Sequence, residues 1–138
     1  MGYRSQVVLA VAPELAGAFL SLFAKNKEVE DLCRSADKFE SGYNEEGDWF
    51  MHWDSLKWYP SFPEIADIVD FIDAVESDDM SDYGLGDAPK GKRMDGTEYE
   101  ANWCEYFRFV RIGEDMDDID EYGEYCSSDI YTTRSISF

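Results

Sequence analysis

The stretch KWYPSFPEIADIVDFIDAVES, residues 57–77, decides the fold. Ser61 and Glu64 stand at capping-box spacing and Pro63 suits a first helical turn, so a helix opens here. Ile65, Ile68, Val69, Ile72 and Val75 recur on one face of it, and Glu64, Asp67, Asp70 and Asp73 fall on the other side. A helix that is apolar on one side must be covered by another element. Upstream, YRSQVVLAVA (3–12) is β-branched and apolar, the pattern of a buried strand. Pro13 and Glu14 then open a first helix, with Leu15, Phe19, Leu22 and Phe23 as its apolar face. Residues 25–37, mixed in charge, extend or follow that helix. KFESGY (38–43) and DWFMHWD (48–54) read as strands joined by the turn NEEG (44–47). Downstream, DDMSDYGLGDAPKGKRMDG (78–96) is loop, WCEYFRFVRI (103–112) a strand, and DIYTTRSISF (129–138) a closing strand. The order β-α-β-β-α-β-β predicts a single α+β domain over residues 1–138, with two helices packed on a largely antiparallel sheet.

The chain has 138 residues, 31 acids, 12 Lys plus Arg, and a formal net charge of −19. Nine Tyr, nine Phe and four Trp set it apart from acidic disordered tails, which lack aromatic residues. The charge is uneven: residues 1–60 hold ten acids and six bases, residues 61–138 twenty-one acids and six bases. Solubility needs a net charge of only ~2–8 for a small domain, and the excess costs stability through self-repulsion. Naked nucleic acid and anionic membrane would both repel this chain, so the expected partner is basic. The apolar run at the N-terminus is too short for a signal peptide or a membrane span.

The stretch GEDMDDIDEYGEY, residues 113–125, holds seven carboxylates and no base. A calcium loop starting at Asp118 would place Asp120 and Gly123 well, but Tyr122 sits where a ligand belongs and Asp129 replaces the bidentate Glu. Paired carboxylates for acid–base catalysis need a pocket, which a hydrophilic run does not suggest. Cys33, Cys104 and Cys126 form no C-x-x-C pair and His52 is the single histidine, so neither a zinc site nor a catalytic residue is expected, nor any cofactor. The thiols read as reduced and packed.

The acids on residues 64–82 suggest a different use. Residues three apart on a helix are about 4.5 Å apart along its axis, and the row winds slowly around the exposed face. Glu76, Asp78, Asp79 and Asp82 continue it, and no base interrupts residues 61–89. With Glu114, Asp115, Asp117, Asp118, Asp120, Glu121 and Glu124 as a second row, the surface approximates the charge track of DNA. A groove lined by Lys and Arg would accept it in place of DNA. Trp49, Trp53, Trp58 and Tyr59 read as core, or as an interface patch for self-association, and a twofold dimer would double the acidic track. Lys90, Lys92 and Arg93 read as local charge balance, and Arg4, Arg108, Arg111 and Arg134 as strand residues paired with nearby acids.

The stretches MGYRSQVVLAV, HWDSLKWYPSFPEI and FRFVRIGEDMDDID, with the YTTRSISF ending, resemble a family of small acidic proteins of tailed bacteriophages. The resemblance spans most of the chain and carries no catalytic residues. It implies a protein made in the host bacterial cytoplasm, where phage DNA mimics block restriction enzymes, CRISPR complexes, nucleoid proteins and DNA gyrase. The last is the favoured target.

Overall fold

Ser5–Val11 (β1) is buried almost throughout because it is the middle strand of a five-stranded antiparallel sheet. A strand covered on both faces has no polar side to show, hence its unbroken apolar sequence. The computed structural model describes residues 3–115, 117–132 and 136–138. β1 pairs on one side with Trp49–Leu56 (β3) and on the other with Phe107–Ile112 (β6). Lys38–Ser41 (β2) lies outside β3 and Ile119–Tyr122 (β7) outside β6, giving the order β2-β3-β1-β6-β7. Two small hairpins complete the strands among the described residues: Gly91–Lys92 (β4) with Glu98–Tyr99 (β5), and Tyr131–Thr132 (β8) with Ile136–Ser137 (β9). The fold is α+β.

Three helices cover one face: Pro13–Lys25 (α1), Lys27–Arg34 (α2) and Pro63–Glu76 (α3). Alternation along the strands sends Val7, Leu9, Val11, Met51 and Phe109 toward Phe19, Leu22, Ile68, Phe71 and Val75 of the helices. The opposite side chains, Val8, Ala10, Phe50 and Val110, pack under Ile130 and Ile136. Trp53 is buried on the helix side and donates to the Leu32 carbonyl at 3.1 Å, while Trp49 stacks on Phe39. Trp53 belongs to the core, and Trp49 is half-buried against it. Cys33 is buried and Cys104 and Cys126 half-buried, all as free thiols; burial pushes the Cys33 thiol up to about 12.

The structure departs from the sequence reading in four places. A third helix appears because Asn26 is extended (φ −144°), which ends α1, and its side-chain oxygen accepts the Glu28 N–H to start α2. α3 starts with Phe62 as its cap and no side-chain cap bond, so the expected Ser61–Glu64 box does not form. Pro63 at the first helical position has no N–H to satisfy, which lessens the need for a polar cap. Residues 103–106 form a 3₁₀ turn, and the strand begins at Phe107. The last segment does not join the large sheet; the edge beside β6 is taken by β7, from within the acidic stretch. Gly123 (φ +85°) then turns the chain back, and a Cβ there would collide with the Phe107 carbonyl. The expected strand residue Arg134 lies outside the described residues.

Asp48 is fully buried and anchors the β2–β3 turn. Its carboxylate accepts the N–H groups of Gly42, Tyr43, Asn44 and Glu45 at 2.8–3.1 Å, and the Tyr125 hydroxyl at 2.8 Å. Burial alone would push this carboxyl up, but the donors converging on it hold it below the ordinary range.

Candidate functional site

The acids of α3 do not form a straight file. Three residues advance the helix by about 300°, so each acid sits roughly 60° behind the one before. Glu64, at the α2 flank, lies against Glu28; the hydrogen bond between these carboxyls, with their mutual repulsion, pushes Glu28 up. Asp67 is half-buried and accepts the Asn26 amide at 3.0 Å. Asp70 and Asp73 are exposed on the outer pole. Glu76 arrives at the flank nearest β7, where partial burial pushes its carboxyl up, the Gly123 N–H tempers this, and neighbouring Glu124 adds to it. The row crosses the helix obliquely from α2 to the end of β7.

Two of the three acids beyond α3 are held by local donors. Asp78 adopts a left-handed backbone (φ 57°) and its carboxylate accepts the Trp103 N–H at 2.8 Å. Asp79 accepts the Ser81 hydroxyl and N–H, which hold its carboxyl below the ordinary range. Asp82 is exposed beside Tyr83, whose hydroxyl also faces Asp67 and Asp70. Among the described residues, none of the acids from Glu64 to Asp82 is paired with Lys or Arg.

The late acids behave differently. They occupy a tight turn and strand β7 instead of a loop, and a strand alternates its side chains between two faces. Asp120 points to the helix side and is bound by Arg111 at 2.8 Å; Glu121 points to the opposite side, 3.6 Å from Arg108. Asp118, in the turn, is gripped by Arg111 and accepts the Tyr3 hydroxyl at 2.7 Å. Arg111 first and Tyr3 second hold the Asp118 carboxyl below the ordinary range. Glu114 accepts the Arg4 N–H at 2.9 Å. Asp115, Asp117 and Glu124 are exposed. The second row is therefore divided and partly neutralised, and its members Asp118, Asp120 and Glu121 do not continue the first.

Between α3 and the β6–β7 pair lies a cleft of about 440 Å³. Val69 and Ile72 form its helix wall and Phe109 and Tyr122 its sheet wall, with Trp58 and Tyr59 closing it. Trp58, Phe109 and Tyr122 follow one another at centroid distances of 5.3 and 6.0 Å. The Arg111–Asp118–Asp120 cluster with Tyr3 borders the same space. Trp58 and Tyr59, both half-buried, thus line an open cleft, unlike the buried Trp53. The sequence showed the aromatic residues but not the cleft, which depends on where α3 crosses the sheet. It also passed over Glu28, whose place beside Glu64 depends on the α2–α3 contact.

Among the described residues, no three His, Cys, Asp or Glu side chains are grouped to hold a metal ion, and no helix is long and apolar enough to cross a membrane. Asp118 and Asp120, the first positions of the calcium-loop reading, are committed to Arg111. No family model, curated protein or solved structure matches the chain.

Proposed function

We propose that this protein is a non-enzymatic, phage-encoded inhibitor that occupies the DNA-binding surface of a basic host protein in the bacterial cytoplasm. The carrying observation is the ribbon of carboxylates that crosses α3 from Glu64 to Glu76 and meets Glu124, with no cation paired along α3 among the described residues. Five acids over the thirteen residues from Glu64 to Glu76 span about 18 Å of helix axis, one charge per ~4.5 Å. That is close to one charge per 3.4 Å along a single DNA strand and well short of the ~1.7 Å of the duplex. The ribbon therefore stands in for one phosphate strand. Self-repulsion along it is relieved when a cationic groove neutralises it.

The resemblance to phage proteins favours DNA gyrase as the target; restriction, CRISPR and nucleoid proteins carry grooves of the same sign. A dimer would extend the ribbon, but not by pairing two β7 edges. Asp120 and Glu121 of each copy would then face like charges. The test is displacement of a labelled duplex from purified gyrase. Competitive release, overcome by added DNA, supports the reading. Unchanged DNA binding at saturating inhibitor removes gyrase as the target, and the same result across the other three classes removes the function.

A further inference from the structure

The ribbon leaves the aromatic cleft unused, and we infer that this cleft receives an arginine side chain presented by the basic partner. The inference rests on the basic-partner reading and adds a specific anchor to it. Three features point to a guanidinium. The cleft holds about 440 Å³, inside the roughly 300–1,000 Å³ of small-ligand sites. Its Trp58 and Tyr122 rings give it exposed or half-buried π faces, on which planar cations stack. Its polar border holds two carboxylates against one guanidinium, which leaves one negative charge over. Asp120 binds Arg111 through Oδ2, and its Oδ1 has no partner among the described residues. An incoming guanidinium lies over the Trp58–Phe109–Tyr122 row and donates to that oxygen. Arg111 then acts as the positioning residue that holds both carboxylates at the border of the cleft.

The site also complements the ribbon. Carboxylates exposed on α3 attract a cationic surface over a distance but fix no register, because exposed pairs are weak and screened by salt. A single Arg buried among aromatic rings supplies specificity, as such anchors do at protein interfaces.

The experiment needs no host protein. N-acetyl-arginine methylamide is titrated into the full chain while the Trp58 indole N–H and Tyr122 ring are followed by NMR, with the citrulline analogue as the neutral control. Saturable shifts at both residues are expected, with roughly millimolar affinity for so small a ligand. The citrulline response should be at least tenfold weaker. Tyr122→Ala, an exposed edge-strand change, should abolish the shift at Trp58, and Asp120→Asn should weaken binding several-fold with the fold unchanged. Equal responses to arginine and citrulline, or none at Trp58, overturn the inference. A chain that displaces DNA from gyrase yet ignores the probe keeps the ribbon and loses this anchor. One that takes the probe yet fails to displace DNA keeps the anchor and loses the mimicry.

Discussion

Arg111 and Asp120 face one another across the β6–β7 pair as register partners, with guanidinium and carboxylate 2.8 Å apart. The same guanidinium grips Asp118 in the preceding turn and donates to the Ser5 hydroxyl at 3.0 Å. One cation thus ties the edge strand, its turn and the central strand together. Arg111→Met removes it and leaves two adjacent half-buried carboxylates with one counter-charge fewer. The expected loss is about 2–3 kcal/mol in urea unfolding, with the Asp118 carboxyl returning toward its ordinary range in an NMR titration. A variant as stable as the parent would show that the cluster contributes nothing to the edge.

Asp48 gives the clearest pH dependence. Its folded-state pKa lies below the ordinary 3.8, so its contribution is present above that value and lost as pH falls through the folded pKa. Asp48→Ala leaves four backbone N–H groups without their acceptor, and a loss of about 3 kcal/mol at pH 7 is expected. Asp48→Asn should lose less, and its deficit against the parent should shrink below about pH 4 in thermal melts. A deficit constant from pH 7 to pH 3 contradicts this assignment.

Glu76 has the opposite sign. Its carboxyl is raised above the ordinary 4.5, so the folded state binds the proton more tightly and stability falls as pH rises through that window. Glu76→Gln retains an acceptor for the Gly123 N–H and removes the repulsion from Glu124. It should raise the melting temperature by roughly 1–2 °C at pH 7, with the gain vanishing below pH 4. The same change should weaken partner binding, since it removes the charge that joins α3 to residue 124. A stabilised variant with undiminished binding would place the contact elsewhere.

The acids separate into two groups that mutation distinguishes. Asp70 and Asp73 are exposed and unpaired with any cation among the described residues, whereas Glu121 lies near Arg108 and accepts the Thr132 hydroxyl. Asp70→Lys with Asp73→Lys should abolish displacement of DNA and leave the circular dichroism spectrum unchanged. Glu121→Gln should shift the inhibitory concentration less than twofold. Equal effects from both variants would mean that paired and unpaired acids serve alike.

The sheet and helices were legible where periodicity was strong. The alternation of residues 48–54 and the apolar face of residues 65–75 each correspond to an observed element. Residues 119–122 were not legible as a strand, because IDEY alternates weakly and its partners Arg111 and Val110 are supplied only by the hairpin. That miss also merged acids that the strand sends to opposite faces. The α3 row was legible from spacing alone, but its meeting with Glu124 depends on tertiary packing. The role of Asp48 was hidden as well, since four of its five donors come from the turn just ahead of it and the fifth from residue 125.

The α3 carboxylates, paired with no cation among the described residues, are proposed to replace phosphates in a cationic groove. The most direct measurement is the salt dependence of the affinity of this chain for gyrase, by calorimetry or anisotropy, for the parent and for the charge-neutralised Asp70→Asn, Asp73→Asn variant. A steep linear fall of log K with log salt is expected, with a slope reduced by roughly 2 in the variant. A salt-independent affinity, or a slope that the variant leaves intact, would contradict it.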